Sequence, residues 1–213
     1  MTENTVQIPM EKIKLEGELS IPKGSNGIVL FAHGSGSSRF SPRNQYVAKT
    51  LREKNLGTLL IDLLTHEEEA IDDVTREIRF NIHLLADRLV GVTDWILKNP
   101  STKKLKIGYF GASTGAAAAL IAAAKREDIS AVVSRGGRPD LAKAYLGHVQ
   151  APTLLIVGGY DNVVIELNQE AFATLTCEKK MEIVPKATHL FEEPGALEKV
   201  AGLAGMWFLT YLS

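Results

Sequence analysis

The stretch LKIGYFGASTGAAAAL, residues 105–120, predicts a buried strand that turns directly into a helix. Its first half is a continuous apolar run, which is typical of parallel strands covered on both faces. At the junction, Ser113 lies between Gly111 and Gly115 in a G-x-S-x-G pentapeptide, whose small residues let the chain turn sharply and expose the serine hydroxyl. The alanines that follow would let the helix approach a neighbouring strand closely. The stretch therefore predicts a parallel α/β sheet with a serine at its edge.

The rest of the chain continues this alternation of strands and helices. The predicted parallel strands are 27–34, 57–64, 105–112, 129–136, 152–159 and 180–185. The predicted helices are 43–55, 74–98, 114–126, 163–174 and 195–212. Two alternating segments, 6–10 and 13–19, predict an antiparallel pair at the start of the chain. Together they predict an α/β fold with a doubly wound, mostly parallel sheet, and we expect a single domain over residues 1–213.

The composition is that of an ordinary soluble globular protein, and it narrows the choice of partners. Of the 213 residues, 45% are hydrophobic and 23% are charged. The 24 basic and 25 acidic residues give a net charge of -1, which offers no reason to expect binding to nucleic acid or an anionic membrane. The first residues lack the apolar core of a signal peptide, and no apolar run approaches the roughly 20 residues of a membrane helix. We therefore expect a cytoplasmic protein.

Three polar residues follow predicted strands at the edge where open parallel sheets bind their ligands. Ser113 follows the third strand, Asp161 the fifth and His189 the sixth. A serine hydroxyl needs a base to take its proton before it can attack a carbonyl group. His189 could be that base, and Asp161 could hold the imidazole in the required tautomer. The order of these residues predicts a Ser-Asp-His triad.

Other residues could take some of these roles. Asp161 could instead cap the helix at 163–174, because aspartate caps helices well, and Asp140 is the alternative acid. The remaining histidines have other interpretations: His33 as a brace for its loop, His83 as a structural residue in a helix, His148 as an exposed loop residue.

The single cysteine, Cys177, lies after the helix at 163–174 and excludes an internal disulfide and a cysteine zinc cluster.

The negative charge that develops on the substrate needs hydrogen-bond donors. The amide of Thr114, at the start of the helix, is the first predicted donor of this oxyanion hole. The second donor is expected in HGSGSS, residues 33–38, where glycines let backbone amides face a ligand. We predict the amide of Ser35, with Gly36 as the alternative; a flexible connector is the other interpretation of this loop.

Charged residues surround the predicted site. Arg39 and Arg43 flank the HGSGSS loop, and Arg135 and Arg138 follow the fourth strand. Arginine binds carboxylates through two parallel hydrogen bonds, so Arg135 and Arg43, together with His66 near the cleft edge, are candidate substrate contacts. Alternatively, the arginines pair with nearby acids, which are Glu67, Glu68, Glu69, Asp72 and Asp73.

Four motifs, FAHGSGSS, GYFGASTG, IVGGYD and ATHLF, occur in the order used by the α/β-hydrolase superfamily. From residue 28 to the C-terminus the chain resembles its small dienelactone-hydrolase-like branch. The resemblance implies Ser113 as nucleophile, Asp161 as acid and His189 as base, with no metal or organic cofactor. It also reveals a departure, because the typical nucleophile of that branch is cysteine and position 113 is serine.

These observations predict a serine hydrolase that cleaves carboxylic esters, thioesters or lactones through an acyl-enzyme on Ser113. Only residues 137–151 connect the fourth and fifth parallel strands, which is too short for a sizeable lid. Two alternatives stay open: the same triad could serve acyl transfer or perhydrolysis, or the fold could be a non-catalytic binding or regulatory module. The expected partner is a small-molecule ester, and the expected state is a monomer or homodimer.

Overall fold

The computed structural model describes residues 4–213. Its strands are β1 (Asn4–Pro9), β2 (Lys14–Ser20), β3 (Gly27–Ala32), β4 (Gly57–Ile61), β5 (Lys106–Ala112), β6 (Ile129–Arg135), β7 (Thr153–Gly158) and β8 (Lys179–Val184). Within the described range they form one eight-stranded sheet, in the order β1-β2-β4-β3-β5-β6-β7-β8. β2 is antiparallel to both β1 and β4, and the remaining pairs are parallel. The predicted mostly parallel sheet with an antiparallel N-terminal pair is confirmed.

Helices cover both faces of the sheet. They are α1 (Pro42–Glu53), α2 (His66–Thr75), α3 (Ile82–Lys98), α4 (Thr114–Ala124), α5 (Asn162–Thr174) and α6 (Ala196–Leu212). On one face α1 and α6 bury apolar residues such as Leu51 and Phe208. On the other face α3 and α4 bury residues such as Leu89 and Leu120. Because β3 to β7 lie between these two layers, nearly all their residues are buried, which accounts for their continuous apolar runs.

The prediction of one helix over residues 74–98 is wrong at its start. α3 begins only at Ile82, where the Asn81 side chain accepts a hydrogen bond from the Leu84 amide. The residues before it belong to α2 and to a short 3₁₀ helix, Ile78–Phe80.

Most of α2, residues 66–73, lies where no helix is predicted from the sequence. It begins with a capping box, in which the Thr65 hydroxyl accepts the Glu68 amide and the Glu68 carboxylate accepts the Thr65 amide. It ends at Thr75, and the left-handed φ of 57° at the next residue, Arg76, turns the chain out of the helix. The Asp72 carboxylate then accepts the backbone amide of Arg79 and holds the following 3₁₀ helix in place. The end of α2 and the contact between Asp72 and Arg79 therefore separate segments that the prediction of one helix over residues 74–98 had joined.

The connection between β6 and β7 contains a 3₁₀ helix, Pro139–His148, and no sizeable lid. This helix packs on α4 and α5 on the far side of the sheet from α1 and α6. Among the helices of residues 4–213, none has the length and apolar character that crossing a membrane requires.

Candidate active site

Ser113 lies on the turn between β5 and α4, as the pentapeptide predicts. Its φ of 51° and ψ of -121° form a backbone conformation that residues with a side chain rarely adopt. Ser113 also precedes the first residue of α4, yet its side chain makes no capping hydrogen bond. The hydroxyl is therefore left for other partners, at the cost of local backbone strain.

Close backbone contacts explain why glycines flank this serine. A Cβ atom on Gly111 would lie 2.4 Å from the Cα of Ala116. A Cβ atom on Gly115 would lie 2.3 Å from the carbonyl oxygen of Ala32. Neither distance leaves room for a methyl group, so both positions require glycine to bring α4 against β3 and β5.

His189 and Asp161 complete a line of hydrogen bonds that starts at Ser113. The Ser113 Oγ lies 3.4 Å from Nε2 of His189, and Nδ1 of His189 lies 2.6 Å from Oδ2 of Asp161. When Nδ1 donates its hydrogen to Asp161, Nε2 is left as an acceptor that faces the Ser113 hydroxyl. The Ser113–His189 contact is the longer of the two, and catalytic hydrogen bonds of this kind tighten when a substrate binds.

The two candidate acids occupy different environments. Asp161 precedes α5 but does not cap it, because its carboxylate turns toward His189. Asp140 is bound instead by Arg138, with 2.7 Å between Nη2 and Oδ2. The structure therefore brings Asp161, and not Asp140, to the histidine.

The loops that carry Asp161 and His189 are held together by their backbones. The Tyr160 amide donates to the Ala187 carbonyl over 2.9 Å. A Cβ atom on Gly158 would lie 2.5 Å from that same carbonyl oxygen, so the loops approach each other as closely as glycine allows. This contact fixes the separation of the acid and the imidazole.

The HGSGSS loop is braced by His33, as predicted. The His33 Nδ1 donates to the Gly34 carbonyl over 2.9 Å, and its Nε2 accepts the Leu63 amide over 3.0 Å. Burial lowers the pKa of His33, which favours the neutral imidazole that these two contacts require. The Ser35 amide, the predicted second oxyanion donor, donates over 2.8 Å to the Oγ1 of Thr114. The two predicted donor residues are thus in direct contact.

Arg135 is buried at the end of β6, with only 6% of its surface exposed. Its guanidinium donates to the Asn44 side chain over 3.4 Å and lies 5.9 Å from the centre of the Phe191 ring. Burial, together with the charge of Arg43, lowers the pKa of Arg135 to about 10. Arg43 pairs with the exposed Glu192 over 3.1 Å. Nothing in the sequence predicts that Asn44 and Phe191, which lie far from Arg135 along the chain, contact its guanidinium.

The other arginines near the site do pair with acids, but their partners are not the acids at positions 67–69, 72 and 73 that the sequence suggested. Arg39 pairs with Asp62 and with Glu16, whereas in α2 Asp72 pairs with Arg79 and Glu68 with Arg88. These contacts rigidify the rim of the cleft, and Arg135 differs from them because no carboxylate among residues 4–213 pairs with it.

His66 and Cys177 are not brought to the serine. The His66 side chain is 93% exposed and lies 3.8 Å from Glu69 at the start of α2. Cys177 is half-buried beside Thr153, so it is not an alternative nucleophile at this site. The role of His66 as a substrate contact stays a prediction.

A cavity of about 270 Å³ adjoins the HGSGSS loop. Its walls combine the loop residues 34–38 with the apolar side chains of Leu63 and Leu85 and the charged side chain of Arg79. It offers room for part of a small molecule next to the predicted oxyanion hole. Among residues 4–213, no three His, Cys, Asp or Glu side chains are arranged to hold a metal ion.

Comparison with known proteins adds to this geometry. The model of the Dienelactone hydrolase family matches residues 48–203, which is well over half of the chain. The chain belongs to the dienelactone hydrolase family. A crystal structure of a dienelactone hydrolase from Anabaena variabilis is 62% identical, covers 100% of this chain and 99% of its own, and superposes with a TM-score of 0.98. The expected α/β-hydrolase fold is thereby confirmed.

More distant relatives extend the comparison. An esterase of Pyrococcus furiosus is 19% identical, covers 100% of this chain and 94% of its own, and has a TM-score of 0.78, which supports the shared fold. A Mycobacterium tuberculosis protein named "Putative phosphoribosyl transferase" is 55% identical over all 213 residues. The chain spans only 47% of that curated relative, so the name describes a protein about twice as long.

Proposed function

We propose that this family member is a serine hydrolase that cleaves carboxylic esters, thioesters or lactones. One observation carries the proposal: an unbroken line of hydrogen-bond contacts runs from Ser113 through His189 to Asp161. Nucleophile, base and orienting acid in mutual contact are the parts that acyl transfer to a serine needs.

In the proposed first step, the Ser113 Oγ attacks the substrate carbonyl carbon while His189 Nε2 takes the hydroxyl proton. Asp161 stabilises the imidazolium that forms, because its carboxylate accepts the Nδ1 hydrogen. The imidazolium then gives its proton to the leaving alcohol, thiol or ring oxygen, and the acyl group stays on Ser113. The amide of Thr114 would stabilise the tetrahedral oxyanion, since the first amides of a helix have no acceptor inside it.

We propose water as the second reactant. The His189 side chain is 38% exposed, so water can reach the imidazole that must activate it. The short 3₁₀ helix between β6 and β7 does not form a lid that would exclude water. Acyl transfer or perhydrolysis remains the alternative, and product analysis with a competing alcohol or peroxide separates them from hydrolysis.

The two relatives have names for different reactions, and the first of them supports the hydrolase. Dienelactone hydrolase is the name of the 62% identical protein from Anabaena variabilis. Phosphoribosyl transferase is the name of a mycobacterial protein of which this chain spans 47%. A phosphoribosyl group has no acyl carbonyl for Ser113 to attack, so the triad favours hydrolysis over that transfer for this part of the relative.

The direct test is covalent labelling of the native protein with a fluorophosphonate probe. We expect the probe to modify Ser113 and to block hydrolysis of a short p-nitrophenyl ester, because only an activated serine reacts readily with it. Peptide mass spectrometry identifies the modified residue. Folded protein that is neither labelled at Ser113 nor active on esters would favour a non-catalytic binding module.

We further propose that the preferred substrates carry a negative charge held by Arg135. Its position supports this, because the Arg135 carbonyl accepts the amide hydrogen of Ser113, so the residue adjoins the nucleophile. Burying a guanidinium without a carboxylate partner is costly unless an anion arrives to pair with it. Arg43 adds a second positive charge nearby.

The variant Arg135→Met is expected to lower kcat/KM for an anionic ester, such as mono-p-nitrophenyl succinate, by roughly 10–100-fold, the value of a charge-assisted hydrogen bond. Activity on neutral p-nitrophenyl butyrate should change little, since that ester makes no ion pair. Arg138→Met serves as the matched control, because Arg138 is already paired with Asp140. Equal losses on both esters would contradict a role in charge recognition.

A further inference from the structure

The contact between Ser35 and Thr114 changes how the oxyanion hole works. The Ser35 amide does not face an open site, because its hydrogen is donated to the Thr114 Oγ1 over 2.8 Å. A hydroxyl oxygen that accepts a hydrogen bond keeps its own hydrogen for donation. Among residues 4–213, no acceptor takes that hydrogen from Thr114.

The Thr114 hydroxyl occupies a protected position beside the nucleophile. Thr114 directly follows Ser113, is the first residue of α4 and is only 4% exposed. The HGSGSS loop is pressed against the same turn, because a Cβ atom on Gly34 would lie 3.1 Å from the Cβ of Ser113. Thr114 and the loop that its hydroxyl contacts are therefore both adjacent to the residue that attacks the substrate.

We propose that the Thr114 hydroxyl is itself a donor of the oxyanion hole, a role that rests on the proposed hydrolase function. As the Ser113 Oγ–carbon bond forms, the electron pair of the carbonyl double bond moves to its oxygen, and the serine proton goes to His189. The Thr114 hydroxyl keeps its proton and donates a hydrogen bond to the new oxyanion. The Thr114 amide donates to the same oxygen, and the Ser35 amide acts through the hydroxyl.

The proposed role gives a reason for the hydrogen bond from the Ser35 amide to the Thr114 hydroxyl. A hydroxyl that accepts from an amide becomes a better donor, because consecutive hydrogen bonds polarise one another. In a buried site this polarisation is less screened by water than at the surface. Ser35 then fixes the direction of the Thr114 hydroxyl before the substrate arrives, so little reorganisation is needed during the reaction.

The test compares Thr114→Val, which removes the hydroxyl but keeps the size and the backbone amide, with Thr114→Ser, which keeps the hydroxyl. We expect kcat on p-nitrophenyl acetate to fall by roughly 10²–10³-fold in the valine variant, as for other lost oxyanion donors, with KM nearly unchanged. The serine variant should stay within a few-fold of wild type. The inhibition constant of a trifluoromethyl ketone, which forms a tetrahedral adduct with Ser113, should rise by the same factor as kcat falls.

Two controls separate this role from stability and from the proposed function. Thr93→Val removes a buried hydroxyl far from Ser113, bonded to Leu89 and Tyr109, and should leave kcat unchanged even if it lowers the melting temperature. If Thr114→Val does not fold, Thr114→Ala provides the same comparison with a smaller side chain.

The outcomes are distinct. Wild-type kcat or a higher one in folded Thr114→Val would overturn the inference, because Ser35 would then be the direct donor once its amide is released. That result would leave the hydrolase function intact. Wild-type protein with no Ser113-dependent ester turnover would overturn the proposed function, and this inference with it.

Discussion

Replacing Ser113 by alanine should lower kcat for a short p-nitrophenyl ester by roughly 10⁴–10⁶-fold, the range found when a triad nucleophile is removed. Without Oγ no acyl-enzyme can form, and His189 has no hydroxyl to deprotonate. The fold should be retained, because the side chain makes no capping hydrogen bond to α4. Initial-rate kinetics on purified protein, together with circular dichroism and urea unfolding, measure the two effects separately.

Ser101→Ala is the matched control for this variant. Ser101 is exposed, and its hydrogen-bond partner within residues 4–213 is Asn99 alone, in the turn that follows α3. It should keep wild-type kcat and KM. Retained turnover in Ser113→Ala would mean that another group attacks the ester, and the assignment of the nucleophile would then be wrong.

The variant Gly115→Ala should lose at least about 3 kcal/mol of unfolding free energy, toward the upper end of overpacking effects. The added Cβ would lie 2.3 Å from the carbonyl oxygen of Ala32 and 2.4 Å from that of His33. Both are backbone atoms, one at the end of β3 and one in the loop after it, so the clash cannot be relieved by a side-chain rotation. Urea unfolding followed by fluorescence or circular dichroism measures the loss.

Gly202→Ala provides the comparison at a helical glycine without contacts. Gly202 lies within α6, and a Cβ there would meet nothing within 4 Å. Alanine is favoured over glycine inside a helix by up to about 1 kcal/mol, so this variant should gain stability. If Gly115→Ala were equally stabilising, the close packing of α4 against β3 would not exist in solution.

The arrangement of the sheet and of the candidate triad could be predicted because both depend on local patterns. Continuous apolar runs identify strands that are covered on both faces, whatever the tertiary details. In parallel strands the carboxyl ends meet at one edge, so Ser113, Asp161 and His189 could be expected together from their positions after three such runs. Their contacts in the structure agree with that expectation.

The helix α2 could not be predicted from apolar periodicity. Among its own residues only Asp72 is buried, so it has no apolar stripe to mark it. The Thr65–Glu68 capping box was the available signal. The predicted helix over residues 74–98 instead extended α3 too far toward the N-terminus, and the contact between Asp72 and Arg79 shows where the chain changes direction.

Contacts between residues far apart in the chain could not be predicted from the sequence either. Ser35 and Thr114 are 79 positions apart, and nothing in either motif indicates that an amide of one donates to a hydroxyl of the other. Arginine is rarely buried, and the two interpretations of Arg135, a substrate contact or an ion pair with a nearby acid, did not include its burial. Its burial follows from the packing of α1 and the loop around Phe191 over the end of β6.

α4 is enclosed by its surroundings, since every residue from Thr114 to Ala123 is buried. Any bulkier residue there would have to displace the sheet, α3 or the 3₁₀ helix at 139–148. Substitutions that enlarge the side chains of α4, the helix that follows Ser113, would consequently disrupt this packing. New substrate preferences in this lineage would have to arise in the surface loops that surround the serine, where residues can be exchanged without disturbing the scaffold.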